Sequence, residues 1–195
     1  MPTPVAHSIL AISMGILQTI PTKISLKQLC LEIWKKRFFF ILCIILSLSP
    51  DVDYLFGLFY GNWNKFHSGA THSLIFVICT TVFVGFYLKK YKTSHDYKAL
   101  SFGFIFLLQV SHLILDLFTQ DTSYPIGIPL FWPVTYDTYH SPFEIFDAPA
   151  KRDFVEIFSW HNFTVLGKEF AMFLPLLIFV ILFKLFFKKV RLEYE

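Results

Sequence analysis

Four short clusters of histidine and aspartate contain the side chains of this chain that are best suited to chemistry. The clusters are His7, Asp51 with Asp53, His67 with His72, and His112 with Asp116. Imidazole and carboxylate groups together are typical ligands of Zn, Mn or Fe, and they fit those ions better than Ca. Each cluster lies at or near the edge of an apolar stretch, where polar groups are costly unless they serve a site. The seven residues therefore predict a centre for one or two divalent metal ions.

Two of the clusters have a spacing that brings their side chains to one face. His112 and Asp116 are four residues apart and share a face if the segment is helical. They form either part of a site or a His–Asp hydrogen bond that joins two helices. Asp51 and Asp53 follow Pro50, which stops a helix, and alternate residues of an extended turn point to the same side. Two such carboxylates repel each other unless a cation lies between them, although a solvated helix end also carries acids of this kind.

The histidines differ in how far the sequence supports them as ligands. His67 and His72 bracket a short SGAT segment and face the preceding aspartates across a short connection. This arrangement favours a site over an exposed interfacial turn. His7 is supported as a ligand only by the presence of the other clusters, because a lone histidine near a membrane edge is more often an interfacial residue. His140 and His161 have no partner motif, and we expect them to be ordinary polar residues.

The composition indicates a membrane protein. Of the 195 residues, 55% are hydrophobic, 16% are charged and 25 are phenylalanine. The mean hydropathy is +0.56. A soluble domain of this length needs more charge to cover its surface. The cysteines Cys30, Cys43 and Cys79 show no CxxC spacing and are expected to act as small hydrophobes, and the chain has no nucleic-acid-binding pattern.

Five apolar stretches predict the elements that position the clusters. The stretches are Val5–Ile20, Phe38–Ser49, Ser73–Leu88, Ala99–Phe118 and Phe170–Phe187. Only the last two approach the roughly 20 residues that cross a bilayer, and the second is able to continue as Tyr54–Tyr60 after a break at SPDVD. We therefore predict an all-α fold, an integral membrane helical bundle of four or five helices. Residues 1–195 are expected to form a single membrane-embedded domain.

Most of the lysine and arginine residues lie in three places. These are the segment between the first and second stretches, the segment between the third and fourth, and the end of the chain. An alternating path puts all three on one side, which the positive-inside rule makes cytoplasmic, together with the C-terminus. All four clusters then fall on the outer or periplasmic side. Residues 119–168 lie on that side too, and we predict that they form an ordered extracytoplasmic cap. On the other side, the pattern of Ile24–Trp34 predicts a short interfacial helix.

The order of the motifs resembles that of a known membrane family. The chain reads AHS, PDVD, HSGATHS, SHLILDLFT and PLFWP between residues 5 and 133. This is similar to the YdjM-like family of membrane-bound metal-dependent hydrolases. The resemblance implies that the seven His and Asp residues occupy metal-binding positions, and that the protein is a multi-pass protein of the bacterial cytoplasmic (inner) membrane. The chain departs from the family pattern at Tyr54, where the family has His, and at Ser68, where it has Arg.

These observations predict a metal-dependent hydrolase that acts at the outer membrane–water interface. One carboxylate, Asp53 or Asp116, is predicted to be the general base rather than a ligand. A site at headgroup depth favours a lipid or lipid-linked ester or phosphoester as substrate, with membrane lipids as partners. The alternatives are a metal or proton transport or sensing protein, and a protein with a non-catalytic structural metal. Transport needs a polar path to the inner side, and the inner halves of the third and fourth stretches offer only Thr80, Thr81, Ser101 and Gln109.

Overall fold

The fold is all-α, as the sequence predicts. A computed structural model describes residues 2–60, 68–91, 99–120, 126–150 and 155–187. The α-helices within these ranges are α1 (Pro4–Thr19), α2 (Leu26–Lys35), α3 (Arg37–Ser47), α4 (Asp53–Phe59), α5 (Leu74–Tyr91), α6 (Phe102–Leu117) and α7 (Trp160–Phe186). Short 3₁₀ turns cover Ser49–Val52, Ala70–His72 and Glu156–Phe158. The described ranges contain no β-strand, only two isolated bridges, Thr119 with Phe146 and Ile128 with Tyr139.

Serine and threonine side chains begin five of these helices, and one of them is Ser73, whose hydroxyl accepts from the Phe76 N–H of α5. Each accepts a hydrogen bond from a backbone N–H of the first turn, which would otherwise have no partner. The other capping residues are Thr3 of α1, Ser25 of α2, Ser101 of α6 and Ser159 of α7. The helix boundaries therefore follow from local polar residues as well as from hydrophobicity.

Helix α7 begins ten residues before the apolar stretch that predicted it. The sequence places the start at Phe170, whereas the helix begins at Trp160. The two charged residues before Phe170 interrupt the apolar stretch but not the helix, because Lys and Glu are good helix formers. Both are paired: Lys168 contacts the Asp147 carboxylate, and Glu169 bonds to Thr3. Ser159 supplies the cap of the longer helix.

Among the described residues, α7 is the one helix that is both long and apolar enough to count by itself as a membrane span. A second candidate is α3 followed by Ser49–Gly57, two segments that meet at a bend of 68°. This bend is the break that the sequence predicts at SPDVD. Helices α1 and α6 are apolar but have 16 residues each. The described residues therefore give one clear span, and the predicted bundle of four or five spanning helices is not confirmed.

The helices alternate in direction around a shared core. Helices α1 and α5 begin at the end of the bundle where α3 and α6 finish, which we call the site end. The opposite end is filled by apolar side chains, among them Ile16, Phe39, Phe40, Phe104 and Leu108. This arrangement brings the polar clusters of four segments to one end of the molecule.

Helix α7 runs parallel to α1 and contacts it at both ends. Near the start of α1, the buried Glu169 carboxylate accepts a hydrogen bond from the Thr3 backbone N–H at 2.7 Å and another from the Thr3 hydroxyl. Near its end, the Lys184 ammonium donates to the Leu17 carbonyl at 2.9 Å. An anion at the N-terminus and a cation at the C-terminus both match the helix dipole. The two contacts fix the position of α1 along α7.

The segment between α6 and α7 folds back onto the end of α6. Ser141 donates its backbone N–H to Leu117 at 2.9 Å, and Ile145 donates to Phe118 at 2.7 Å. The imidazoles of His140 and His161 lie 3.0 and 2.8 Å from the backbone carbonyls of Thr119 and Ala148. Both histidines thus stay in local contacts of this segment.

Candidate metal centre

Six of the seven predicted ligands come together at the site end. His7 lies in the first turns of α1, Asp51 in the 3₁₀ turn after α3, and Asp53 at the start of α4. His72 ends the 3₁₀ turn before α5, and the last two turns of α6 carry His112 and Asp116. The seventh residue, His67, lies outside the described residues, so its role stays a prediction.

Four ligand atoms form a closed ring in which imidazole and carboxylate alternate. His72 Nε2 lies 3.5 Å from Asp51 Oδ1 and 3.6 Å from Asp116 Oδ2. His112 Nε2 lies 3.6 Å from Asp51 Oδ1 and 3.2 Å from Asp116 Oδ2. Both histidines and Asp116 are buried, and the Asp51 side chain is 17% exposed. Among these four side chains, Asp51 is therefore the one nearest to solvent.

His7 adds a fifth group on the far side of Asp116. Its Nε2 lies 3.6 Å from Asp116 Oδ1, the oxygen outside the ring. Its imidazole stacks on that of His112 with ring centroids 3.9 Å apart. The two oxygens of Asp116 thus face different histidines.

Asp53 contacts the other nitrogen of His72. Its Oδ2 lies 3.2 Å from His72 Nδ1, and it accepts a hydrogen bond from the Thr71 hydroxyl at 2.9 Å. A carboxylate at Nδ1 favours the tautomer in which that nitrogen carries the proton and Nε2 presents its lone pair to the ring. In this structure Asp53 orients a ligand, and its predicted roles as a ligand or a base remain predictions.

The polar atoms of this cluster are close together but poorly hydrogen-bonded. Within the part of the chain that the structure describes, no hydrogen-bond partner is found for either nitrogen of His7 or His112, for either oxygen of Asp116, or for Asp51 Oδ1. A buried polar group without a partner costs about 1–3 kcal/mol, and more if it is charged. A bound cation would compensate for such a concentration of unsatisfied groups.

A divalent cation fits this arrangement. Two sets of donor atoms lie within 4.8 Å of one another: His7, His112 and Asp116, and Asp51, His72 and His112. Around an ion with bonds of about 2.1 Å, neighbouring tetrahedral ligand atoms are about 3.4 Å apart. The ring distances of 3.2–3.6 Å match that spacing. The donor chemistry is that of Zn, Mn or Fe sites.

A second buried polar layer lies one helical turn deeper, and the sequence did not assign it a role. The Gln109 side-chain oxygen accepts hydrogen bonds from the hydroxyls of Ser49, at 3.1 Å, and Thr80. Its amide nitrogen donates to the Thr81 hydroxyl at 3.1 Å. We call these four residues the glutamine layer. A lone glutamine in an otherwise apolar part of α6 was the available signal.

Comparison with known proteins gives one family. The model of the family described as YdjM inner membrane protein matches residues 1–191. The match covers nearly the whole chain and confirms the resemblance seen in the motifs between residues 5 and 133. No curated protein and no solved structure matches the chain.

Proposed function

The chain belongs to the YdjM inner membrane protein family, and from that premise and the geometry of the site we propose that it is a metal-dependent hydrolase. Its substrate is a lipid or a lipid-linked ester or phosphoester at the membrane–water interface. The observation that carries the proposal is the buried ring of His and Asp donor atoms, spaced 3.2–3.6 Å apart and largely without hydrogen bonds of their own. A metal ion both satisfies these atoms and explains their spacing.

The residues that would hold the ion are Asp51, His72 and His112, a donor set that would leave a fourth coordination position for water. A divalent ion supplies a lowered pKa for a bound water and polarisation of the ester or phosphoester. The exposed edge of Asp51 gives solvent a route to these groups. Asp53 and Thr71 keep His72 in the orientation that this arrangement needs.

Asp116 is the better supported of the two predicted general bases. Its Oδ2 belongs to the ring, while its Oδ1 faces His7 at 3.6 Å. Oδ2, 3.2 Å from His112 Nε2 and 3.6 Å from His72 Nε2, would lie beside a water at the open coordination position and would take its proton. Asp53 is less suited because its Oδ2 already contacts Thr71 and His72.

The proposed membrane arrangement is a multi-pass bundle of four or five helices with the site at the outer side and the C-terminus in the cytoplasm. The alternating directions of α1, α3, α5 and α6 support it, because they bring all the site residues to one end. The basic residues of the α2–α3 region lie at the other end, in accord with the positive-inside rule. A substrate carried by the bilayer would reach such a site without leaving the membrane surface.

Transport is less well supported than hydrolysis. A transported ion or proton needs a polar path from the site to the other end of the bundle. Beyond the glutamine layer, apolar side chains fill the core on that side, among them the fully buried Phe39, Ile105 and Leu108. The third alternative is a structural metal. In a structural site protein ligands fill every coordination position, whereas in a catalytic site water occupies one of them.

The first test is the metal content of the purified protein, measured by elemental mass spectrometry after purification without chelators. We expect about one or two equivalents of Zn, Mn or Fe in the wild type, none in a His112→Ala/Asp116→Ala variant, and the wild-type amount in His140→Ala. A folded wild type without metal would contradict the proposal. The loaded protein is then assayed on phospholipids and lipid-linked phosphates, and failure to cleave any of them would exclude the proposed substrate class.

A further inference from the structure

The end of the molecule opposite the metal centre carries a compact basic and aromatic surface. It consists of Lys23–Phe38, that is, α2, the residues before it and the start of α3, and we call it the basic elbow. Helix α3 begins here at Arg37 and ends just before the turn that carries Asp51. The basic elbow is thus a full helix length from the site.

The basic elbow is held rigidly by the protein. Ser25 and Gln28 form a reciprocal capping box at the start of α2. Leu29 is buried in the main apolar core, and Ile33 packs against it. The Lys23 backbone N–H donates to the Lys184 carbonyl of α7 at 2.6 Å. A surface fixed in this way does not need to order itself before it binds a partner.

The outer face of this surface is apolar. Leu26, Cys30 and Trp34 follow one another at four-residue intervals and form a stripe along α2 that points away from the core. Trp34 is 69% exposed, Phe38 is 61% and Leu26 is 60%. No other described residue of the chain covers this stripe.

Positive charge surrounds the stripe. Lys23, Lys27, Lys35 and Arg37 are exposed, and the acid among them, Glu32, pairs with Lys35 at 2.9 Å. The Arg37 guanidinium lies over the ring of Trp34 at 5.2 Å and that of Phe38 at 4.7 Å. A cation is therefore held against exposed aromatic side chains, at the boundary between apolar and charged surface.

We propose that the basic elbow is a binding site for an anionic phospholipid of the surrounding membrane. The phosphate contacts Arg37 and the neighbouring lysines, and the acyl chains cover Leu26, Trp34 and Phe38. Three observations support this occupant: the cations, the uncovered apolar stripe beside them, and membership of an inner membrane family. Arginine suits phosphate because its planar donors match the phosphate oxygens. Basic amphipathic helices bind anionic lipid through this combination of charge and apolar area.

The test is a lipid titration of the full-length protein in a neutral detergent, read by native mass spectrometry. Palmitoyl-oleoyl phosphatidylglycerol is compared with the zwitterionic phosphatidylcholine of the same chains. We expect the wild type to prefer phosphatidylglycerol. A Lys27→Gln/Arg37→Gln variant should lose roughly tenfold in affinity for this lipid, because each basic residue near the membrane surface adds to the attraction for anionic headgroups. A Lys89→Gln/Lys90→Gln variant, which removes two exposed cations from the last turn of α5, is the matched control and is expected to keep the preference.

Two results would overturn the proposal. One is equal binding of the two lipids by the wild type, and the other is an equal loss in both charge variants, which would indicate only a general effect of net charge. A Trp34→Ala/Phe38→Ala variant tests the apolar part and is expected to bind both lipids more weakly. The thermal unfolding midpoint of every variant in detergent should stay close to that of the wild type, so that a folding defect is recognised without reference to metal. The lipid result is therefore independent of whether the protein is a hydrolase.

Discussion

The candidate metal centre and the glutamine layer lie one turn apart on α6, and they differ in how far their polar atoms are hydrogen-bonded. Both are buried, and both draw side chains from several segments. In the glutamine layer, the Gln109 oxygen and nitrogen are both hydrogen-bonded to hydroxyls. In the metal centre, both nitrogens of His112 lack such partners among the residues described. The comparison teaches that burial of polar groups alone does not identify a site; the unsatisfied layer is the one that calls for a ligand.

Removing and restoring the metal should have the largest effect, and only the candidate metal centre should respond to it. Metal at a concentration 100 times its Kd should raise the free energy of unfolding of the stripped protein by about 2.7 kcal/mol. His72→Ala should abolish the effect because it removes a ring atom, whereas Gln109→Ala should retain it. Thermal unfolding in detergent with and without metal measures the difference. A wild-type shift that persists in His72→Ala would place the ion elsewhere.

A change in the glutamine layer should affect stability without affecting the metal. Gln109→Leu leaves the Ser49 and Thr81 hydroxyls without their amide partner, and we expect a loss of about 2 kcal/mol in the free energy of unfolding. Ser111→Ala is a control on the same helix, because Ser111 bonds only within α6, to the Leu108 carbonyl. Denaturant unfolding and elemental analysis are the measurements. Loss of metal in Gln109→Leu would mean that the two layers act as one unit.

The smallest expected effect concerns the support of His72. Asp53→Asn weakens the contact that fixes the His72 tautomer, and metal affinity should fall about tenfold, or about 1.4 kcal/mol. Thr71→Val removes only the hydroxyl that bonds to Asp53 and should have a smaller effect. Competition with a chromophoric chelator gives both affinities. If Asp53→Asn removed the metal completely, Asp53 would be a ligand, as the sequence also allows.

The sequence predicted most of the residues that come together at the site end because they had a distinctive local context, whereas His7 was supported only by the other clusters. His112 and Asp116 shared a helix face, and Asp51 followed a proline that ends α3. The lysine and arginine pattern then predicted that these groups lie at one end, and the structure brings them together. Their spacing in the ring could not be predicted, because it depends on how four segments pack.

Other features could not be read from the chain because their partners are distant in sequence. Glu169 accepts hydrogen bonds from Thr3, a partner 166 residues away that the sequence does not indicate. The start of α7 at Trp160 was also missed, because the charged Lys168 and Glu169 precede the apolar stretch that begins at Phe170. The sequence does not distinguish Asp53 from Asp51. In the structure Asp51 contacts His72 Nε2 and belongs to the ring, whereas Asp53 contacts Nδ1 on the other side of the imidazole. A local sequence pattern predicts which polar residues have a structural or functional role, but the packing of distant segments decides what that role is.

The contact between Glu169 and Thr3 also has a consequence for biosynthesis. His7 is among the first ligands to leave the ribosome, yet the helix that fixes the start of α1 is made 166 residues later. Until α7 has been inserted, α1 has neither its Glu169 anchor nor its Lys184 anchor. We therefore expect the final position of α1, and of His7 within it, to be fixed only after α7 has been made, although the other described site residues are made before α7.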